Sequence, residues 1–211
     1  MIVLKQLPVG PMANFAYLLC DPAAAECAVV DPGWDAARLC AAAEEVGCRV
    51  AAVLLTHHHF DHSDGLPALL AKSPAPVFVH REDAAHVRPK ASLIREVSDG
   101  DKTAVGGFEV EFLHTPGHTK GSQCIRAGEH LLTGDTLFIG ACGRVDLPDS
   151  EPERMFESLR RLAALPGGLT VWPGHAYGPA SSGLLSREVI SNPYLRLAAS
   201  EGREAFLRAV G

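Results

Sequence analysis

Thr56-His57-His58-His59-Phe60-Asp61-His62-Ser63-Asp64-Gly65 packs four imidazoles and two carboxylates into ten residues. Its core pattern is His57-x-His59-x-Asp61-His62. The preceding Val50-Ala51-Ala52-Val53-Leu54-Leu55 is short, apolar and partly β-branched, the composition of a buried strand. A strand ending in such a run delivers nitrogen and oxygen donors on backbone held rigid from behind, which is what a metal site needs. Alternate side chains of extended backbone share a face, so His57 and His59 converge on one ion. Asp61 and His62 bend toward a second position nearby.

Three further strand ends carry lone candidates. Phe108-Glu109-Val110-Glu111-Phe112-Leu113 alternates apolar and polar, as a half-buried strand does, and leads into His114-Thr115-Pro116-Gly117-His118. His130–Thr133 runs into Gly134-Asp135-Thr136, and Leu169–Trp172 into Pro173-Gly174-His175. With the first run, His118, Asp135 and His175 make five imidazoles and two carboxylates, enough for two ions. Zinc suits such donors, with iron or manganese as alternatives, because no thiolate narrows the choice. Water between two cations loses a proton near neutral pH, and the second ion stabilises a developing oxyanion. The chemistry expected is hydrolysis without a nucleophilic Ser or Cys, and no G-x-S-x-G elbow is present.

The elements that must position these groups alternate along the chain. Short strands are expected over residues 2–4, 15–20, 26–30, 77–80 and 122–126, with turns at Pro8–Pro11 and Asp21-Pro22. Asp35 is expected to cap a helix running to about Val46. Further helices are expected near Leu66–Lys72, Glu82–Val87, Leu184–Ser191 and Glu201–Val210. Ser150-Glu151-Pro152-Glu153 reads as a capping box opening a helix to about Leu165. Asp31, in Val30-Asp31-Pro32-Gly33, is explained by turn chemistry alone. His80 and His86 lack ligand spacing and read as ordinary histidines. Ser92–Val105 gives no signal beyond a turn at Asp99–Asp101. Two strand-and-helix successions without a linker imply two sheets packed together with helices outside.

Composition sets the remaining bounds. At 211 residues, with 47% hydrophobic and 21% charged side chains, the chain can bury one sizeable core, and a single domain over 1–211 is expected. A formal charge of -6 and the absence of any Lys/Arg run argue against nucleic acid as a partner. No apolar run approaches the ~18 residues of a membrane span, and the first residues are not a signal peptide. The expected setting is the cytoplasm, away from membranes. The six cysteines form no C-x-x-C pair and are expected to be reduced, mostly buried, small apolar residues.

T-H-x-H-x-D-H at Thr56, T-P-G-H-T-x-G-S at Thr115, T-G-D-T at Thr133 and P-G-H at Pro173 resemble, in that order, the metallo-β-lactamase superfamily. The resemblance implies an α/β fold, an αββα four-layer sandwich of two mixed sheets flanked by helices. It places His57, His59 and His118 on a first metal, Asp61, His62 and His175 on a second, and Asp135 between them. Asp61 and Asp135 would orient the attacking hydroxide. His58, His114 and His130 fall outside the pattern, with His58 structural.

The oxygen-rich set is similar to the glyoxalase II branch, which implies hydrolysis of an acyl thioester. Gly140-Ala141-Cys142-Gly143-Arg144 resembles the G-C-G-R segment of glyoxalase II and of persulfide dioxygenases, and Asn192-Pro193-Tyr194-Leu195-Arg196 resembles short-form glyoxalase II-like proteins. Arg144, Cys142 and Tyr177 are the expected substrate contacts. Long-form glyoxalase II adds a C-terminal glutathione-binding segment, whereas this sequence ends at Gly211, so the resemblance leaves the glutathione moiety open. The alternative reading is a one-iron persulfide dioxygenase using His57, His118 and Asp135. Against it, Pro173-Gly174-His175 resembles the hydrolase form rather than the dioxygenases' P-A-H. A lactonase is a third, weaker reading. The nucleases of the superfamily need an inserted domain for which this chain has no room.

Overall fold

The computed structural model describes residues 1–211. Its first half forms a sheet ordered β1 (Val3–Val9), β2 (Asn14–Asp21), β3 (Glu26–Val30), β4 (Arg49–Leu54), β5 (Val77–His80) and β6 (Ile94–Val97). The first two pairings are antiparallel, and the other three are parallel. The parallel pairings need crossovers, which α1 (Ala36–Glu44), α2 (Phe60–Ser63), α3 (Leu66–Lys72) and α4 (Ala84–Val87) supply.

The second half forms a sheet from β7 (Lys102–Val105), β8 (Phe108–His114), β9 (Gln123–Ala127), β10 (His130–Gly134), a small hairpin β11–β12 (Leu137–Phe138, Ala141–Cys142), β13 (Thr170–Pro173) and β14 (Gly183–Leu184). The order is β14-β13-β10-β9-β8-β7, with the hairpin apart. Over it lie α5 (Pro152–Ala163), α6 (Leu185–Ser191), α7 (Pro193–Arg196), a π-helical turn at Leu197–Glu201 and α8 (Arg203–Val210).

Three apolar clusters make four layers. Phe15, Tyr17, Val30, Leu54, Phe112 and Ile125 interdigitate between the sheets. Leu18, Val29 and Val53 face Leu39 of α1 and Leu69 of α3. Leu131 and Val171 face Met155 and Leu159 of α5 and Phe206 of α8. Strands β2 and β3 are therefore buried on both faces, which explains their nearly unbroken apolar sequence. The αββα sandwich is the observed architecture. No helix is long and apolar enough to cross a membrane.

The sheets are stitched together at the edge where β3, β4, β8, β10 and β13 end. Gln123 donates from its backbone N–H to the Thr56 carbonyl (2.9 Å) and from its side chain to the Leu55 carbonyl (2.8 Å). Phe15 N–H donates to the Gly174 carbonyl at 2.8 Å, beside an isolated bridge between Asn14 and His175. These bonds bring the candidate loops within reach of one another.

Several local expectations are corrected. The uninformative 92–105 stretch holds β6 and β7, each at the edge of its sheet. β1 runs on through the expected turn to Val9. It tolerates Pro8 because it too is an edge strand. Asp35 caps nothing with its side chain: its φ is 53°, and its carboxylate accepts instead from Gly10 N–H. The capping box does not form either, because Ser150 Oγ donates to the His118 carbonyl at 2.9 Å. That hydroxyl braces a candidate site loop rather than a helix.

Candidate metal centre

All seven predicted donors meet at the stitched edge. His57, His59 and His118 bring one ligand atom each within 4.8 Å of one another, as do His57, His62 and Asp135, and Asp61, His62 and His175. Asp135 lies between the groups. Its Oδ2 is 3.5 Å from His118 Nε2 and 3.3 Å from His175 Nε2, and its Oδ1 is 3.4 Å from His62 Nε2. Asp61 Oδ2 is 3.3 Å from His175 Nε2 and 3.4 Å from His62 Nε2. Every one of these residues except His59 is buried.

The outer face of each ring fixes which nitrogen is bare. His118 Nδ1 donates to the Arg144 carbonyl (2.9 Å) and His175 Nδ1 to the Met12 carbonyl (2.9 Å). His62 Nδ1 donates to Asp31 Oδ2 at 3.1 Å. Thr56 Oγ1 gives its proton to the same Asp31 oxygen (2.6 Å), so it accepts from His57 Nδ1 at 3.1 Å. The Nε2 lone pairs of all four rings then point inward. His118 Nε2 faces His59 Nδ1 at 2.9 Å, and His62 Nε2 faces His175 Nε2 at 3.1 Å. The His62 and His175 lone pairs, that close, demand a proton or a cation between them. His57 Nε2 and Asp135 Oδ1 are buried with no hydrogen-bond partner at all, a costly arrangement that a cation would satisfy. The donor set therefore fits divalent ions of the zinc, iron or manganese class.

Residues 9–175 match the family model described as the metallo-beta-lactamase superfamily. The chain belongs to that superfamily. It is 29% identical, over 90% of its length and 84% of the other's, to a probable polyketide biosynthesis zinc-dependent hydrolase, BaeB, of Bacillus velezensis. It is 38% identical to a hydroxyacylglutathione hydrolase of Alkalilimnicola ehrlichii, over 86% of this chain and 69% of that protein. Among solved structures, ETHE1 from Myxococcus xanthus aligns with a TM-score of 0.89 at 28% identity, covering 99% of this chain and 89% of that one. The chain is a metal-dependent hydrolase of the superfamily, of the glyoxalase II-like kind.

The groups of the cluster shift one another's protonation. Burial pushes His62 and His175 down, but Asp135, with Asp31 and Asp61 for His62, outweighs it. His62 ends well above the usual 6.5, and His175 is raised to about 9. The hydrogen bonds from His175 and His62 overcome the burial of Asp61 and hold its carboxyl well below the usual range. Burial and neighbouring imidazoles push His57 well below 6.5, and burial with His118 and His58 lowers His59 to about 4.

These shifts predict a bell-shaped stability for metal-depleted protein. His57 and His59 fold neutral, so stability falls as pH drops below 6.5 and only the unfolded chain takes up protons. The stability owed to the protonated form of His175 is complete below 6.5 and is lost as pH rises to about 9. Thermal melts in chelator should peak near pH 6.5, and a melting temperature flat from 6.5 to 9 would contradict the charge balance.

Asp31 corrects the turn-only reading. It sits at the end of β3 with φ 51°, a left-handed conformation Asp tolerates better than most residues, and it is 2% exposed. Its Oδ1 accepts from Thr56 N–H at 2.8 Å, and its Oδ2 accepts from Thr56 Oγ1 and His62 Nδ1. Asp31→Asn keeps the size and the backbone preference but removes the charge that steers both. We expect metal affinity to fall about 10–100-fold, read by chelator competition, and an unchanged affinity would contradict this role.

Asn14 was not anticipated. Buried at the start of β2, it donates to Asp61 Oδ2 at 2.9 Å and locks that carboxylate. Arg144 contributes its carbonyl to His118, while its exposed guanidinium grips Asp146 (2.9 and 2.8 Å). Cys142 packs against the outer core, and burial pushes its thiol up to about 12, so it stays protonated at neutral pH. Tyr177 is exposed, and its ring stacks on His175 at 4.5 Å. His58 and His86 stack on each other outside the cluster, His80 stacks on His114, and His130 Nδ1 accepts from Trp172 Nε1.

Proposed function

We propose that the protein hydrolyses acyl thioesters, giving a carboxylic acid and a thiol, with two divalent cations, zinc first, held by His57, His59 and His118 and by Asp61, His62 and His175, and with Asp135 shared. The observation that carries this reading is the position of Asp135, within 3.5 Å of nitrogens from both groups. Likeness to a hydroxyacylglutathione hydrolase supports the thioester class. Cations at this position supply a Lewis acid for the acyl carbonyl and lower the pKa of water toward neutrality.

The chain's own residues do the rest. Asp61, fixed by Asn14, and Asp135 accept hydrogen bonds from the attacking water and aim it at the carbonyl carbon. Water gives up a proton through the carboxylates to solvent and adds its oxygen to the acyl carbon. The carbon–sulfur bond breaks, and the sulfur leaves with the electron pair and takes a proton from solvent to become the thiol. A thiol pKa of about 8.5 makes the thiolate a good leaving group without a dedicated acid. Arg144, Cys142 and Tyr177 line the approach in this reading, with Arg144 meeting a substrate carboxylate. Turnover of S-lactoylglutathione beside other acyl thioesters by metal-loaded protein tests the proposal. Cleavage of at least one is expected, and no cleavage across the panel would end it.

Gly174 weighs against the persulfide dioxygenase reading. A Cβ there would lie 2.4 Å from Asp135 Oδ1 and 2.9 Å from His62 Cε1, on the side of the second position. Glycine leaves room for that oxygen to be shared. Gly174→Ala should therefore drop bound metal from two equivalents toward one and cut hydrolysis at least about tenfold. Two equivalents retained at full activity would remove this role. Oxygen uptake with a glutathione persulfide by one-iron protein would reverse the choice of reaction.

A further inference from the structure

A second donor group lies on the outer side of the histidine run. His58, His86 and Asp149 bring one ligand atom each within 4.8 Å of one another. His58 is half-buried, and the other two are exposed. The His58 and His86 rings stack with centroids 4.1 Å apart and planes 17° apart.

Asp83, 1% exposed, backs His58. It accepts from the His58 backbone N–H (2.9 Å), Thr119 Oγ1 (2.9 Å) and Gly121 N–H (2.8 Å). Its Oδ2 also lies 3.0 Å from His58 Nδ1. A buried carboxylate behind one ring nitrogen is how metal-binding imidazoles are held in orientation.

We propose that His58, His86 and Asp149 form a further cation site, distinct from the cluster around Asp135, for a borderline transition-metal ion such as Zn2+ or Co2+. Two imidazoles and a carboxylate select that class over Mg2+ or Ca2+. Tetrahedral binding needs donor separations of about 3.3 Å. The two exposed side chains close that gap by turning, and the stack opens as His86 swings its lone pair toward the ion. Because they must move, the site fills after the buried cluster.

An ion there ties α4, which carries His86, to the loop that carries Asp149. The next residue on that loop, Ser150, donates to the His118 carbonyl. The site thus clamps one wall of the hydrolytic centre to the first sheet.

Titration of the purified protein with Co2+, followed by equilibrium dialysis and visible absorption, tests this. Wild-type protein should take up one more equivalent than His86→Ala, and Asp149→Asn should weaken that last equivalent at least about tenfold. Both side chains are exposed and outside the main cluster, so the fold should be unchanged by circular dichroism. Equal uptake by wild type and His86→Ala would overturn the proposal. The comparison is a difference between proteins, so it holds however many ions the main cluster binds.

Discussion

Replacing Asp135 with alanine is expected to lower kcat/KM for thioester hydrolysis by about a thousandfold or more, roughly 4 kcal/mol of transition-state stabilisation. No other donor lies within 3.5 Å of His62, His118 and His175 together, so no neighbour takes over when it is lost. Its Oδ1 is buried without a hydrogen-bond partner, a cost the fold bears only if something outside the chain satisfies it. Burial alone would raise the pKa of this carboxyl. His62, then His175 and His118, hold it below the usual range, so it is anionic at working pH. Asp135→Ala should remain folded by circular dichroism while losing bound metal. A loss of activity under tenfold would show that Asp135 is peripheral.

The second large effect falls on folding. Gly33 packs its backbone against α2, where a Cβ would lie 1.7 Å from the Asp61 carbonyl oxygen and 2.9 Å from the His62 backbone nitrogen. Both contacts are backbone, so no side chain can swing aside. Gly33→Ala must push α2 away from the β3 turn, at a cost of about 3 kcal/mol or more. For a chain of this size that is a drop in melting temperature of roughly 6–12 °C. The same shift carries Asp61 and His62 away from Asn14 and Asp31, so metal affinity should fall with stability. A melting temperature within about 2 °C of wild type would mean that the turn yields freely.

How much of this was readable from the sequence depended on what each residue was chosen for. His57, His59, Asp61, His62, His118, Asp135 and His175 have side chains selected for their donor atoms, and each follows an apolar strand. Type and context therefore pointed the same way. Asn14 and Asp31 look like ordinary turn residues until distant segments fold onto them. The carbonyls of Met12 and Arg144, which fix two of the rings, belong to the backbone and have no sequence signature.

The two sheets and most helices were legible from apolar periodicity. β6 and β7 were not, because both are edge strands with charged or polar exposed positions such as Arg95, Glu96 and Lys102. The Ser150 motif had the letters of a capping box, but its hydroxyl found a site loop closer than the helix. Asn192, at the start of the Asn-Pro-Tyr-Leu-Arg segment, caps α7 and donates to the carbonyls of Phe138 and Ala141 (3.0 Å each). It holds the hairpin that carries Cys142, which gives that segment a structural use the sequence did not reveal.

Anomalous diffraction at metal absorption edges, on crystals of protein purified without added metal, tests the central proposal most directly. Two peaks about 3.5–4 Å apart are expected, one among His57, His59 and His118, the other among Asp61, His62 and His175, with Asp135 touching both. A single peak, or none inside the cluster, would contradict it.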